Sequence, residues 1–221
     1  MINGMKLIGV AFIAVCLSGC IGIRMDVDFN ADGSGRVNLE YRLAKGFESL
    51  GKLDGNESWP PFPVGRSDFE RGIARISGLE LLNWAVKEDG RDIVYTARIS
   101  FANTRALVQF FDYSGTRALQ RQANGRTYLS LTLSDGSTAI DEGYLQEGDF
   151  TSLLSSVFIG YAFELYFNAS SGITLPGADR VSKAIPGSAL LLDSSGKKAS
   201  FVSPMEPLLF CREAVSMELS F

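Results

Sequence analysis

Histidine is absent from all 221 residues. That removes every Ser-His and Cys-His nucleophile and takes away the usual ligand of the common zinc sites. A Ser-Lys arrangement is not specified either, because Ser49 to Lys52 falls in a glycine-rich stretch and Ser194 to Lys197 reads as a turn. There is no Gly-x-Ser-x-Gly elbow and no phosphate-binding glycine loop. The acidic pairs Glu88-Asp89 and Asp141-Glu142 lie in turn-like segments, where a solvated surface is the ordinary explanation. The expectation is therefore a chain that is not an enzyme, with no catalytic residue, no metal ligand and no cofactor. Positive charge is also in short supply, with 21 basic against 25 acidic side chains. This argues against nucleic acid as a partner and against a polybasic grip on anionic lipid.

Long apolar runs are missing except at the start. Lys6 precedes Leu7 to Leu17, a run too short to span a bilayer but suited to a cleaved export signal. Leu17, Ser18 and Gly19 stand directly before Cys20, and these four positions resemble a bacterial lipobox. The small pair beside the thiol is what a processing enzyme needs to reach it. The resemblance implies a diacylglyceryl thioether on Cys20, cleavage before it, and a palmitate-type acyl chain on the new amino group. Two or three chains, at about 0.8 kcal/mol per buried CH2, hold a protein on a membrane where one does not. Residues 1–19 are then the signal peptide, and residues 20–221 form a single domain of 202 residues carrying a net charge of −5, since Lys6 is the only charge removed. Met5 offers an alternative start to Met1. Cys16 leaves with the signal and Cys20 carries the lipid, so Cys211, among Leu208, Leu209 and Phe210, reads as a small core residue.

Past the anchor, period-2 patterning dominates. Ile23, Met25, Val27 and Phe29 alternate with Arg24, Asp26, Asp28 and Asn30, and the alternation resumes at Val37, Leu39, Tyr41 and Leu43. This predicts a hairpin only two residues beyond Cys20. Its turn places Asp28, Asn30, Asp32 and Gly33 at the first, third, fifth and sixth places of a calcium loop. The match breaks at Leu39, where a bidentate Glu is required, and at Gly35, so a plain turn is expected.

Residues 44–66 read as a long connection in which Trp59 and Phe62 close one end of the core, act as a lid over a cavity or touch the bilayer surface. Ser67 with Glu70 predicts a capping box opening a helix striped by Phe69, Ile73 and Ile76, ended by Gly78. Two strands follow at 79–87 and 92–101. Asn103 then caps a helix striped by Leu107, Phe110 and Phe111. Further strands are expected at 126–134, 161–167, 190–192, 199–202 and 215–221, with a short helix over 149–160 and a stretch over 168–189 that is irregular or contains a short strand. The sum is an α+β domain, one curved, mainly antiparallel sheet with amphipathic helices packed on one face.

The lipobox, the first hairpin closed by Asp-Gly-Ser-Gly and the tail Val202-Ser-Pro-Met-Glu-Pro-Leu followed by a strand together resemble bacterial lipoproteins of the LppM type. The resemblance implies an α/β body with an apolar cavity that binds lipid or glycolipid. Many such proteins also carry a C-terminal membrane helix, whereas this sequence stops at Phe221 without one, leaving Cys20 as the sole expected anchor. With 15 phenylalanines in the chain, the expected function is a membrane-anchored binding module. Its candidate apolar pocket is formed by Phe69, Ile73, Ile76, Leu107, Phe110, Phe111, Trp59 and Phe62. The alternative is an interaction protein of the envelope with a solid core and a protein partner. Ile21 after the anchor, rather than aspartate, favours the outer membrane where the cell has one.

Overall fold

Ile21–Phe29 forms strand β1, the middle of the molecule, in the computed structural model, which describes residues 21–45, 66–114, 116–136, 158 and 160–221. Its apolar side chains at every second position need a covered face, and Met25, Val27 and Phe29 are buried. Strand β2 (Gly35–Ala44) returns beside it in the register the alternation demands, with Met25 opposite Leu39 and Val27 opposite Val37. A one-residue slip would turn Arg36, Asn38 and Glu40 into the core, so burial fixes this register.

Strands β3 (Leu79–Asp89) and β4 (Asp92–Phe101) extend the sheet on the β2 side. On the β1 side come β7 (Ala162–Ala169), β9 (Lys198–Pro204) and β8 (Ala189–Leu192). The strand order is β3-β4-β2-β1-β7-β9-β8; the β1–β7 pair is parallel and the other five pairs are antiparallel. The outer face carries Arg24, Asp26, Arg36, Glu40, Arg98 and Glu164, held in ladders such as Arg98 to Asn38 and Arg24 to Asp26 and Glu164.

The α+β architecture agrees with the patterning, with an added layer. Strands β5 (Ala118–Ala123), β6 (Arg126–Asp135) and β10 (Ala214–Ser220) form a separate antiparallel sheet in the order β10-β6-β5. Leu129, Leu131, Met217 and Leu219 from this sheet join the core of the large one. Helix α1 (Arg66–Ile73) packs on β3, α2 (Thr104–Tyr113) on β4 and β5, α3 (Ala178–Ala184) on β8 and β10, and α4 (Met205–Leu209) on β9 and β6.

Local signals explain most boundaries. Asn103 is the N-cap of α2, its side chain accepting from the Ala106 N–H at 3.0 Å. The predicted capping box is corrected: Ser67 lies inside α1, and the Glu70 carboxylate instead accepts from Arg66 one turn earlier at 2.7 Å. Strand β5 carries no alternation to announce it, yet Asn124 and Gly125, with φ of 52° and 72°, close its hairpin with β6 in the way an Asn-Gly pair favours. Helix α3 lies within the stretch expected to be irregular, announced by little more than Pro176-Gly177 before it. The helix expected over 149–160 and the connection over 44–66 lie almost wholly outside the described residues.

Candidate functional site

Leu17, Ser18, Gly19 and Cys20, expected to form a lipobox, lie outside the described residues, as do Trp59 and Phe62. What the structure describes is the strand that follows them. Strand β1 begins at Ile21, the residue after Cys20, and neighbouring Cα atoms are only about 3.8 Å apart. Ile21 therefore marks the end of the sheet at which β2 and β3 finish and β4 and β7 start, since it pairs with Leu43 while Ile23 pairs with Phe163.

That end is a dense polar rim. Lys45 pairs with Glu88, Arg42 with Asp89 at 3.1 Å and Arg91 with Asp92 at 3.9 Å. The Lys45 ammonium, first by hydrogen bonding and then by its charge, holds the Glu88 carboxyl below its ordinary value. One rim contact is buried: the Tyr161 hydroxyl donates to the Asp92 carboxylate at 2.6 Å, while the Arg91 guanidinium sits over the Tyr161 ring. Tyr161 also lies against Gly22, where a Cβ would come to 3.0 Å of its ring. This fastens the segment leading into β7 across the starts of β1 and β4. Tyr161→Phe removes the hydroxyl and leaves a buried carboxylate short of a donor, so unfolding in urea should show a loss of about 1.5–3 kcal/mol.

The two predicted helix stripes come together on the inner face of the large sheet. Phe69, Ile73, Leu107, Phe110 and Phe111 are each at most 5 % exposed, and Ile76 packs against the same core, half-buried. Phe69 of α1 meets Tyr41 with ring centroids 6.3 Å apart, and Phe110 meets Phe111 at 6.4 Å. These side chains are occupied in packing sheet to helix.

Periodicity missed the group beside them. Trp84 stacks near Tyr95 at 6.5 Å, next to Tyr41 on the neighbouring strand, and Tyr113 from α2 leans on Gly72 of α1. Burial raises the Tyr41 phenol well above its ordinary value, with the nearby Tyr113 a second cause. The Trp84 indole N–H is buried and has no hydrogen-bond partner among the described residues. Trp84 faces inward because β3 is bulged between Leu81 and Asn83, which changes the parity of the strand after Leu81. A bulge of that kind leaves no mark in the alternation, though an indole in an edge strand was itself a signal.

The turn that resembled a calcium loop closes on its own side chains. Asp32 accepts from the Ser34 N–H at 3.0 Å and hydroxyl at 2.6 Å, Asn30 donates to Ser34 at 2.9 Å, and Asp28 accepts from Asn168 at 2.8 Å. The Ser34 hydroxyl, then its N–H, lowers the Asp32 carboxyl, and Ser195 with the Lys198 and Lys197 amides does the same for Asp193 in the β8–β9 turn. Depressed carboxyls support both turns above their unfolded range and release them as pH falls through the folded values. Cys211 is buried in the core. Among the described residues, no group of three or more Cys, Asp or Glu side chains is placed to share a metal ion.

No protein-family model matches the chain, and no curated protein matches it in sequence. Among solved structures the chain is similar to the NMR structure of the folded domain of the Mycobacterium tuberculosis LppM protein. The two are 9% identical, the match covers 92% of this chain and 90% of that one, and the TM-score is 0.48.

Proposed function

We propose that this chain is a lipid-anchored module of the bacterial cell envelope, attached through acyl chains on Cys20 and working by binding rather than by catalysis. The observation that carries the proposal is the start of β1 at Ile21, in the interior of the seven-stranded sheet. A lipobox joined to a folded body by a long linker would make the body's position incidental. Here the thiol and the sheet are consecutive in sequence, so acylation fixes the body against its bilayer. The acidic balance of the chain supports a membrane or protein partner over nucleic acid, and Ile21 after the anchor supports the outer membrane where one exists.

Metabolic labelling with an alkynyl palmitate tests the anchor. The wild-type chain should take up label and partition into detergent, and Cys20→Ser should retain its signal, lose the label and leave the membrane fraction after carbonate washing. Label persisting on the Cys20→Ser chain, or missing from the wild type, refutes the proposal.

As for what is bound, the unpaired indole N–H of Trp84 among Tyr95, Tyr41 and Phe69 favours an apolar molecule bearing one hydrogen-bond acceptor, such as an ester carbonyl of a lipid or glycolipid. The tight burial of Phe69, Ile73, Leu107, Phe110 and Phe111 favours the second reading, a solid body that contacts another envelope protein. Solvent extraction followed by mass spectrometry separates the two. The first requires a stoichiometric amphiphile that Trp84→Phe depletes, and the second requires a clean preparation in which that variant changes nothing.

A further inference from the structure

We infer that the body stands on its bilayer by the β1-start rim, with its strands pointing away from the surface, and that the surface it fits is an electrically neutral layer of lipid headgroups. The inference rests on the proposed acylation of Cys20 and adds an orientation and a lipid class to it.

Register defines the two ends. Ile21 opposite Leu43, Ala44 opposite Asp92, Asp89 opposite Asp92 and Ala162 opposite Pro204 place Lys45, Glu88, Asp89, Arg91 and Tyr161 at the anchor end. The turn at Ala31 to Ser34 lies at the other end, nine residues along β1, about 30 Å away at roughly 3.3 Å per residue. An anchor at one end of a rigid sheet permits two poses, upright on the rim or lying on a side. Lying down needs a side that gains by contact with lipid, and none is provided among the described residues. The outer face of the large sheet is laddered with Arg24, Asp26, Arg36, Arg98 and Glu164. Leu82 and Val86 are exposed on β3, and Leu191 and Leu192 on β8. These are opposite edges of the sheet, six strand spacings or about 29 Å apart along it, so lying on one edge leaves the other patch in water. On the remaining side Leu119 and Tyr113 are single exposed side chains, too little for an apolar landing face.

The rim's charges select the lipid class. Among the described residues of the rim, Arg42, Lys45 and Arg91 each face a carboxylate, from Asp89, Glu88 and Asp92, while Lys87, exposed two residues before Asp89, has no such partner. Cations already answered within the protein draw little from anionic headgroups, whereas a polybasic patch gains about 1 kcal/mol per free Lys or Arg.

The experiment uses the acylated full chain in phosphatidylcholine vesicles carrying headgroup spin labels. A fluorophore is placed in turn on Gly90→Cys in the rim turn between β3 and β4, where an added Cβ meets nothing within 4 Å, on Ala31→Cys at the far turn and on Arg98→Cys on the outer face, in a Cys211→Ala background. Intact mass first reports whether Cys20 carries its acyl chains; an unmodified thiol there refutes the proposed function itself. With acylation present, quenching at Gly90→Cys should exceed that at the other two sites several-fold. Equal quenching at Arg98→Cys or Ala31→Cys overturns the upright pose. Replacing about one third of the lipid by phosphatidylglycerol should leave all three values unchanged at low salt, and a rise at Gly90→Cys overturns the neutral-surface assignment.

Discussion

Gly35→Ala should lower the stability of the chain by about 3 kcal/mol or more, read as a fall in the urea midpoint followed by tryptophan fluorescence. A Cβ at residue 35 would stand 2.0 Å from the Asp28 carbonyl oxygen and 2.3 Å from Cζ of Phe101. Neither neighbour has room to retreat. The Asp28 carbonyl belongs to β1, where Asp28 lies opposite Arg36 and Phe29 opposite Gly35. Phe101 is 1% exposed and held edge-on by Phe29 at 5.6 Å. The cost is steric, and Gly33 supplies the control. Its φ of +82° favours glycine, but a Cβ there would meet only the Thr104 hydroxyl, at 3.6 Å. Gly33→Ala should therefore cost about 1–2 kcal/mol, the left-handed penalty alone. Shrinking the ring with Phe101→Leu should not rescue Gly35→Ala, since the clash with the carbonyl remains. Rescue would show that the ring, and not the β1 backbone, sets the limit.

The same hairpin shows what patterning can and cannot reveal. Alternation over residues 23–43 is legible because one face is buried and the other wet, and that contrast is written into residue type at every step. Asn103 was legible for a different reason: its cap is local, closed within three residues. Strand β5 was hidden because Ala118 is its one buried side chain while Leu119, its most apolar, is 74% exposed. The separate small sheet was hidden because β6 takes its second partner, β10, from the far end of the chain, opposing Leu129 to Leu219 and Leu131 to Met217. No local window contains that choice. At the candidate site the limit is of another kind. Phe69, Ile73, Leu107, Phe110 and Phe111 were legible as stripes, but a stripe that packs a core and a stripe that lines a cavity have the same spacing. Trp84 was missed because the bulge after Leu81 decides which face it joins.

Phe29→Ala should cost about 3–5 kcal/mol, and the two sheets should be lost together. Phe29 is where they meet: its ring packs against Phe101 of β4 at 5.6 Å and against Phe221, which follows β10, at 4.1 Å. Truncation removes both ring contacts and opens a hole between layers that strand pairing on either side resists filling. The layers are also tied through polar groups. Thr174 bridges Ser220, Arg126 reaches the Gly172 carbonyl at 2.7 Å, and the Ile173 N–H donates to Gly196 in the β8–β9 turn. The small sheet cannot leave without stripping that segment from the large one. Hydrogen exchange of the Leu131 and Leu219 amides reports the small sheet, and that of Val27 and Leu165 the large one. In Phe29→Ala all four should exchange with the same lowered opening free energy, in step with one urea transition. Early exchange at Leu131 and Leu219, with Val27 and Leu165 still protected, would mean that the sheets are separate cooperative units. In that case the shared core formed through Phe29 would contribute contact without coupling.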